Sequence, residues 1–368
     1  MSDASSVNAK TAAQAKMLAN RLVKRFRHLK KWAQRTGVEV FRLYDRDIPE
    51  IPLLLDYFGC VSKPGEAAIS GALYKRPYEK DQREEELWLS AMKAAAAEAL
   101  GIDPCRIFLK LRQRQSGDSQ YQKTGERRFT KIVREGGLAF KVNLSDYLDT
   151  GLFPDRRLLR AMIRSMAAGK RVLNLFSYTG SFSIYAAAGS AAATDSVDLS
   201  NTYLDWAKEN FSLNGFKAEI FQQRDFFPNA RVTSLQNARQ CAHRLIRADA
   251  LEFIAQAASA GLRWDLIILD PPAFSNSKKM TGNFDLRRDH IDFIAGCLGL
   301  LAPGGKLILS INTKHFRTKA STLEQELALN SNNVRVTSLE KKITDEDFKG
   351  RKIPGGFLVI READNISP

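Results

Sequence analysis

Short apolar runs alternate with segments of helical periodicity from Lys170 to the end of the chain. Runs of about four to eight apolar or β-branched residues predict buried strands, and apolar residues spaced three or four apart predict helices. The predicted strands are RVLNLF, ATDSVD, HRLIRA, DLIILD, KLILSIN, VRVTSLE and GFLVIRE. The predicted helices are GSFSIYAAAG, NTYLDWAKENFSLNG, ALEFIAQAASA and FDLRRDHIDFIAGCLGLLA. This order predicts an α/β fold, with a mostly parallel, Rossmann-like sheet of seven strands covered by helices on both faces.

The first part of the chain follows a different pattern. Apolar side chains recur at helical spacing within residues 16–35, which predicts an amphipathic helix. These side chains are Leu18, Leu22, Phe26, Leu29 and Ala33. Residues 37–142 combine strand-like pieces with one Ala- and Glu-rich helix at residues 79–99, which predicts a small α+β unit. The predicted organisation is a small, polar, disordered leader (1–15), a basic helix with a small α+β domain (16–145) and the α/β domain (146–368).

The net charge of the chain indicates what kind of partner it binds. The sequence has 56 Lys and Arg against 41 Asp and Glu, a formal net charge of +15. Such a surplus favours a polyanion, either nucleic acid or an anionic membrane, and without a membrane motif nucleic acid is favoured. Residues 16–35 hold eight Lys or Arg and no acid. This favours contact with phosphates, although an ordinary solvated helix has the same pattern.

Basic and aromatic residues are interleaved in residues 106–129. Alternation along RIFLKLRQR places its charges on one face of a strand. Phosphates require positive charge and unstacked bases require a ring to lie on, so the segment predicts contact with RNA. The residues concerned are Arg106, Lys110, Arg112, Arg114, Tyr121, Lys123, Arg127, Arg128 and Phe129.

Several classes of protein are disfavoured. No apolar run approaches the roughly 20 residues of a membrane span, and no apolar stretch of a secretory signal follows the start, so we expect a cytoplasmic protein. The cysteines share no C-x-x-C spacing, which argues against a disulfide framework or a metal site. They are Cys60, Cys105, Cys241 and Cys297.

The first predicted strand runs into a glycine-containing turn before a helix. Backbone N–H groups in such a turn approach a ligand closely, although many α/β domains share this feature. The turn is neither G-x-G-x-x-G nor a P-loop, which argues against pyrophosphate. The candidate ligand-binding residues are Asn174, Phe176, Ser177, Tyr178, Thr179 and Gly180.

The second and third predicted strands end in carboxylates. Asp198, followed by Leu199, closes the second strand, where an acid is able to accept both hydroxyls of a ribose; a helix N-cap is the alternative, and the two roles are compatible. Asp249, followed by Ala250, closes the third strand, where it is able to accept from an adenine amino group.

The fourth predicted strand ends in Asp270-Pro271-Pro272-Ala273-Phe274. Two prolines stiffen the backbone directly after a buried strand, which suits a loop that holds a side chain against a reacting atom. A purely structural turn is the less favoured alternative. After the fifth strand, Asn312 is placed either to donate to a bound base or to cap the strand end.

Four predicted strand ends thus carry Gly180, Asp198, Asp249 and Asp270 at one rim. This ordered set resembles the seven-stranded S-adenosylmethionine methyltransferases. The resemblance implies that these residues hold the methionine, ribose and adenine parts of S-adenosylmethionine and the substrate, respectively. It also places the segment with Asp155 and Arg156 over the cofactor, whereas the residues alone are equally consistent with a helix start.

A narrower resemblance covers roughly residues 16 to 361. It rests on NLFSYTGSFS, VDLSNTYLDWAKENFSLNG, HRLIRADALEFI, LDPPAFSNSKKM, FDLRRDH, ANRLVKRFRHLKKWA, VFRLYDRDIPE, LKLRQRQSGDSQYQK and VNLSDYLDTGLFPDRR. These segments resemble the C-terminal, RlmK-type half of the bacterial bifunctional 23S rRNA methyltransferases. The resemblance implies a guanine-N7 methyltransferase acting on 23S rRNA or a large-subunit precursor particle.

The chain departs from this family in two respects. It has no counterpart of the partner half that methylates guanine N2, so a single activity is expected. About twenty further residues, FKAEIFQQRDFFPNARVTSLQN, lie between Gly215 and His243, where we expect a loop or a small hairpin near the substrate side.

Cytosine C5 is the rival target, and it requires a cysteine thiolate near the fourth or fifth strand end. Those ends read DPPAFS and LSINT, without cysteine. Guanine N7 carries a lone pair and no proton, so alignment is sufficient. We therefore assign the catalytic positions to Asp270, Pro271, Phe274 and Asn312, with Phe274 stacking on an extruded guanine. The rival functions are an RNA-binding assembly factor without activity and a small-molecule methyltransferase.

Overall fold

The structure is a computed structural model that describes residues 2–74, 81–111, 129–147, 149–227, 241–275, 284–313, 316, 318–328, 334–351 and 355–361. Two compact units share the chain. Unit 1 comprises Met1–Pro154 and Glu346–Lys349, and unit 2 comprises Asp155–Asp345 and Gly350–Pro368. The division after Pro154 lies nine residues beyond the predicted one (154 against 145), and the pattern of the sequence did not assign Glu346–Lys349 to the first unit. The predicted RNA-contacting residues from Arg112 to Arg128 lie outside the described residues.

Unit 1 begins with a long helix, α1 (Ser2–Thr36). The predicted disorder of residues 1–15 is therefore wrong for the described residues 2–15, which are helical. The packing near the end of this segment gives a physical reason. Gln14 is 9% exposed, and its Oε1 accepts a hydrogen bond from the buried Trp88 Nε1 at 2.7 Å, so a polar residue satisfies an indole that the core has taken from water.

The remaining elements of unit 1 are β1 (Val40–Asp45), β2 (Leu53–Phe58), β3 (Ala68–Leu73), α2 (Gln82–Leu100), β4 (Ile107–Leu111), β5 (Thr130–Glu135) and β6 (Leu138–Asn143). A sheet of order β1-β2-β3-β4 is antiparallel except for its last pair, and β5 and β6 form a separate hairpin. Asp81 caps α2 by accepting from the N–H groups of Arg83 and Glu84, and Gly101 ends it at φ +64°. The predicted α+β composition agrees with these elements.

The short segment Glu346–Lys349 is built into unit 1 through Asp347. The Asp347 side chain is fully buried, and its Oδ2 accepts from the Arg42 N–H at 2.9 Å. Its backbone carbonyl accepts from Arg25 Nη2, also at 2.9 Å. A buried carboxylate needs such donors, because leaving it unpaired costs several kcal/mol.

The helices of unit 2 are α3 (Arg157–Met166), α4 (Ser181–Ala188), α5 (Asn201–Leu213), α6 (Gln223–Phe226), α7 (Ala250–Ser259), α8 (Leu286–Gly299), α9 (Ala320–Ala328) and α10 (Glu340–Ile343). The strands are β7 (Arg171–Leu175), β8 (Ala193–Asp198), β9 (Ala218–Gln222), β10 (His243–Arg247), β11 (Trp264–Leu269), β12 (Phe274–Ser275), β13 (Phe284–Asp285), β14 (Leu301–Ser310), β15 (Val334–Ser338) and β16 (Gly356–Arg361). All seven strands predicted from the apolar pattern are present. Most of these strands are largely buried runs flanked by turn residues, whereas β15 shows the alternation of a strand with one exposed face.

The main sheet of unit 2 has the order β15-β16-β14-β11-β7-β8-β10-β9. Its pairs are parallel except those made by β16, which runs antiparallel to β14 and β15. The described part of the sheet therefore has eight strands rather than the predicted seven. The additional strand is β9, which lies at the edge beside β10 and comes from the insertion for which a loop or hairpin was predicted. Residues 228–240 of that insertion lie outside the description.

Two acids in ATDSVD have different surroundings. Asp195 is 1% exposed, and its Oδ2 accepts from Trp264 Nε1 at 2.7 Å and from Arg244 Nη2 at 2.9 Å. This buried, paired carboxylate joins β8 to β10 and β11, while Asp198 ends the strand at the rim.

Within the described ranges, no helix is both long and apolar enough to span a lipid bilayer.

Candidate functional site

The strand order of unit 2 changes direction at β7, whose neighbours in the sheet are β8 and β11. In open α/β sheets, ligands bind outside the carboxyl ends of the strands at such a switch point. The ends of β7, β8, β10 and β11 carry the four residues that the sequence predicted for one rim: Gly180, Asp198, Asp249 and Asp270. The fold therefore brings these strand ends to the same edge of the sheet.

The turn between β7 and α4 is held in an unusual backbone conformation. Phe176 and Tyr178 have φ values of +58° and +51°, although neither is glycine. A non-glycine residue in this region costs on the order of 1–3 kcal/mol and persists only where its surroundings fix it. Here Tyr178 N donates to Asp198 Oδ2 at 2.8 Å, and Ser177 N donates to the Val197 carbonyl at 2.9 Å. The end of β8 thus shapes the turn after β7.

Gly180 completes this turn at φ +76° and precedes α4. A Cβ at this position would lie 3.0 Å from the Cβ of Ala207 on α5. Both the backbone angle and the close helix therefore require glycine. The predicted role of this glycine as a turn residue agrees with the geometry.

The buried atoms Asn174 Oδ1 and Ser177 Oγ, near this turn, have no hydrogen-bond partner among the described residues. Leaving such an atom unsatisfied costs about 1–3 kcal/mol, so a polar ligand or a water molecule is required there. The other end of the Asn174 amide is fixed, because Nδ2 donates to Ser183 Oγ at 2.9 Å.

Sequence reasoning missed Ser183 and Ser196. Ser196 Oγ donates to Ser183 Oγ at 2.7 Å, and all three side chains of the Asn174–Ser183–Ser196 series are buried. The available signal was a hydroxyl at an otherwise apolar helix position in GSFSIYAAAG, opposite a second hydroxyl in ATDSVD. The series fixes the orientation of the Asn174 amide.

Asp198 is held by backbone donors at the end of β8. Its Oδ1 accepts from Ser200 N at 2.9 Å, and its Oδ2 accepts from Tyr178 N. Burial raises the pKa of Asp198 from 3.8 to about 6, against the opposing effect of the backbone N–H groups. The N-cap of α5 is Ser200 rather than Asp198, and Leu199 lies half-buried between them. Each carboxylate oxygen keeps a further lone pair for a ligand.

Asp249 is the N-cap of α7. Its Oδ1 accepts from Leu251 N at 2.9 Å and Glu252 N at 3.2 Å, and Ala250 is the first residue of the helix. The side chain is 5% exposed. Asp249 Oδ2 accepts no hydrogen bond from any residue that the structure describes, so capping and ligand binding are compatible.

The Asp270 loop follows β11 and is bonded to Asn312, which follows β14 in the same unit. Asn312 Nδ2 donates to Asp270 Oδ1 at 3.1 Å and to the Pro271 carbonyl at 2.8 Å. Pro271 is buried, whereas the Phe274 side chain is 53% exposed on the short ladder of β12 and β13. The predicted loop therefore presents a fixed carboxylate and an exposed aromatic ring.

Arg156 contacts this loop. Its side chain is 3% exposed, and its Nη2 donates to Asn312 Oδ1 at 2.6 Å and to the Ile311 carbonyl. Its Nε lies 3.9 Å from Asp270 Oδ1, and its Nη1 lies 3.4 Å from Asp155 Oδ2. Arg156 directly precedes α3, in agreement with the helix-start alternative.

In the part of the chain that the structure describes, no cluster of three or more His, Cys, Asp or Glu residues is arranged to hold a metal.

Comparison with known proteins gives matches along most of the chain. The family model described as S-adenosylmethionine-dependent methyltransferase matches residues 67–341. Ribosomal RNA large subunit methyltransferase K of Neisseria meningitidis serogroup B is 43% identical over 91% of this chain and 84% of its own length. Ribosomal RNA large subunit methyltransferase K/L of Methylococcus capsulatus is 42% identical over 85% of this chain, which spans only 39% of that longer protein.

Solved structures share the fold. SMU.776, described as a methyltransferase and crystallised with SAH, superimposes with a TM-score of 0.68 at 21% identity, over 94% of this chain and 81% of its own. The S-adenosylmethionine-dependent methyltransferase of Agrobacterium tumefaciens gives 0.52 at 20% identity, over 84% and 87%. The strand-end residues, the unsatisfied polar atoms of the first turn and the family match agree on the cofactor, S-adenosylmethionine. The chain belongs to the S-adenosylmethionine-dependent methyltransferases, within the family of the ribosomal RNA large subunit methyltransferases K and K/L.

Proposed function

We propose that this enzyme transfers a methyl group to N7 of a guanine in 23S rRNA. The observation that carries the proposal is the 43% identity, over 91% of the chain, to a protein named ribosomal RNA large subunit methyltransferase K. The choice of atom rests on the chemistry available at the Asp270 loop. The net charge of +15 supports a polyanionic substrate over a small molecule.

The positions of the cysteines argue against cytosine C5. That reaction needs a thiolate beside the base, and no cysteine lies in DPPAFS or LSINT. Cys297 is fully buried in α8, and burial raises its pKa far above the usual range for a thiol. Cys241 donates its thiol hydrogen to the His243 carbonyl at 3.1 Å. Guanine N7 needs no protein nucleophile.

In the proposed reaction, the residues of the Asp270 loop hold the base. S-Adenosylmethionine supplies an electrophilic methyl group when it is bound. The exposed ring of Phe274 stacks on the extruded guanine, which replaces base stacking worth about 1–3 kcal/mol. The Asp270 carboxylate orients the base edge and offsets the positive charge that develops on the ring as N7 is methylated. No general base takes part, because N7 carries no proton.

For the cofactor, each strand end has a complementary group. The Asp198 carboxylate accepts from the two ribose hydroxyls, and Asp249 Oδ2 accepts from the adenine amino group. The unsatisfied Asn174 Oδ1 and Ser177 Oγ need polar partners, which the amino acid part supplies. Tyr178, Thr179 and Gly180 present the backbone of the strained turn to the same part. Asp155 remains a proposed cofactor contact.

We also propose that unit 1 holds the RNA through α1. Six basic side chains are exposed on the side of the helix opposite Leu18, Leu22 and Leu29, which are buried. They are Lys16, Lys24, Arg27, Lys30, Lys31 and Arg35. None of them pairs with an acid among the described residues, whereas Arg21 pairs with Asp47. Unpaired positive charges on one face of a helix repel one another unless a polyanion neutralises them.

Reversing three charges on this face is expected to weaken RNA binding and flatten its salt dependence. In the variant K24E/R27E/K31E, the slope of log K against log salt for in vitro transcribed 23S rRNA should fall by about 2 to 3, at about 0.7–0.9 per lost phosphate contact. The matched control, K208E/K341E/K342E, changes three exposed lysines of unit 2 by the same charge. Equal slopes for the two variants would contradict a specific role for α1.

Mapping of rRNA modifications tests the proposed reaction itself. Deletion of the gene is expected to remove one N7-methylguanine from 23S rRNA, and expression of the protein should restore it. Loss of a C5-methylcytosine instead would overturn the choice of atom. If the purified protein bound rRNA but did not bind S-adenosylmethionine in a calorimeter, the protein would be an inactive assembly factor.

A further inference from the structure

The Asp270 loop is held in place by a series of contacts that starts at Arg156. Arg156 Nη2 donates to Asn312 Oδ1 at 2.6 Å, and Asn312 Nδ2 donates onward to Asp270 Oδ1 at 3.1 Å and to the Pro271 carbonyl at 2.8 Å. We call these three side chains the Arg156–Asn312–Asp270 clamp. It joins residues that are 156 and 42 positions apart in the chain.

The clamp uses every polar group of the Asn312 amide. Its oxygen accepts from Arg156, and its two hydrogens go to Asp270 and Pro271. In this arrangement Asn312 has no donor left for a base, which differs from the contact with guanine that the sequence predicted. Asp270 Oδ1 is likewise engaged, with Arg156 Nε at 3.9 Å. Asp270 Oδ2 is the oxygen left without a partner among the described residues.

We propose that Arg156 is a positioning residue for methyl transfer, which acts through Asn312 to fix the orientation of the Asp270 carboxylate. The inference rests on the proposed role of Asp270. Arg156 suits this task because its guanidinium carries several donors in a fixed plane: Nη2 donates to both the Ile311 carbonyl and Asn312 Oδ1, while Nη1 lies 3.4 Å from Asp155 Oδ2. With its orientation fixed in advance, the carboxylate presents Oδ2 to the base without a reorganisation cost at the moment of reaction. This role replaces the predicted contact of Arg156 with the cofactor.

The adjacent residue offers a matched control. Arg157 is also buried, at 5% exposed, and its Nη1 lies 2.6 Å from Asp345 Oδ2 in the same unit. Both arginines therefore hold a buried charge beside the start of α3. Only Arg156 contacts Asn312 and Asp270 among the described residues. A merely structural contribution is expected to be similar for the two.

The test compares Arg156→Gln, Arg156→Lys, Asn312→Ala and Arg157→Gln, together with the double variants R156Q/N312A and R157Q/N312A. Thermal stability, the Kd for S-adenosylmethionine and the steady-state kcat and KM with rRNA are measured for each. We expect Arg156→Gln and Asn312→Ala each to lower kcat about 10²-fold, the loss typical of a displaced reacting group, with the cofactor Kd changed less than about threefold. Arg156→Lys should recover part of kcat.

The double variants show whether two substitutions lower kcat through the same side chain or independently. R156Q/N312A should be no slower than the slower single variant, because both substitutions release the same carboxylate. Arg157→Gln should lower thermal stability as Arg156→Gln does and keep kcat within about threefold of the wild type. In R157Q/N312A, the fold-losses in kcat of the two single variants should multiply, because the two sites act independently. A large rise in the cofactor Kd with unchanged kcat in Arg156→Gln would make Arg156 a cofactor ligand and overturn the proposal. Equal kcat for the two arginine variants would also overturn it. Methyl transfer by the wild type to another atom would refute only the proposed function.

Discussion

Asp270→Ala is expected to lower methyl transfer to 23S rRNA about 10³-fold or more, while the affinities for S-adenosylmethionine and RNA remain close to those of the wild type. In the proposed reaction, this side chain both orients the base and offsets the charge of the methylated ring. Positioning and a preorganised electrostatic contact are each worth about 10²–10³ in kcat. Single-turnover transfer of labelled methyl and separate binding measurements for the two ligands provide the readout.

Asp265→Ala is the matched control for this prediction. Asp265 lies at the other end of the same strand, β11, and its carboxylate likewise accepts one hydrogen bond, in this case from the backbone N–H of Arg171 at 2.7 Å. This control should lose some stability and keep its turnover. If Asp270→Ala transferred methyl groups at the wild-type rate, the loop would have only a structural role.

Asp198→Asn should weaken S-adenosylmethionine binding about 10²-fold or more. The substitution removes the proposed acceptor of two charge-assisted hydrogen bonds from the ribose hydroxyls, each worth about 1.5–3 kcal/mol. It also places an amide N–H₂ against either Tyr178 N or Ser200 N, both of which donate to Asp198 in the present arrangement. Titration calorimetry measures the effect, and Asp205→Asn, an exposed acid on α5, is the control. Equal affinities for the two variants would contradict the ribose role.

The raised pKa of Asp198 adds a pH dependence to this prediction. Burial raises this pKa to about 6. In the proposed complex, the ribose hydroxyls donate to the carboxylate and favour its charged form, so binding of the cofactor should lower the pKa again. Protonation therefore competes with binding below pH 6. The cofactor affinity should fall about tenfold from pH 7 to pH 5, since each pH unit below the pKa costs about a factor of ten. Asp198→Asn should show a flat profile over this range, and a wild-type profile equally flat would contradict the assignment.

Most elements of unit 2 were predictable from the sequence because strands such as β7 and β11 are buried apolar runs and are separated by periodic helices. The edge strand β9 was missed for the opposite reason. Its residues AEIFQ are mostly half-buried and mix polar with apolar side chains, so no continuous apolar run marks them. The helical start of α1 was missed because small polar residues carry little periodic signal, and the bond from Trp88 to Gln14 joins positions 74 residues apart.

The sequence was sufficient to predict which strand ends form the candidate site. It was not sufficient to predict the hydrogen bonds and backbone angles that shape the site. A carboxylate after a buried strand is visible in the sequence, and parallel strands place such residues at one rim. The positive φ angles of Phe176 and Tyr178 are not visible, because neither residue type favours them and tertiary bonds impose them. The contact between Arg156 and Asn312 depends on how distant segments meet, which local pattern does not encode.

The assignment of Glu346–Lys349 to unit 1 affects how the chain can be divided. The backbone passes from one unit to the other after Pro154, after Asp345 and again after Lys349, so a single cut does not yield both units in full. A fragment that stops at Pro154 lacks Asp347, so Arg42 N loses the carboxylate that accepts its hydrogen bond and Arg25 Nη2 loses the backbone carbonyl that accepts its own. Expression of unit 1 on its own would therefore require the four-residue segment to be grafted back. We expect gene fusions and insertions to be better tolerated outside the stretch from Asp345 to Gly350.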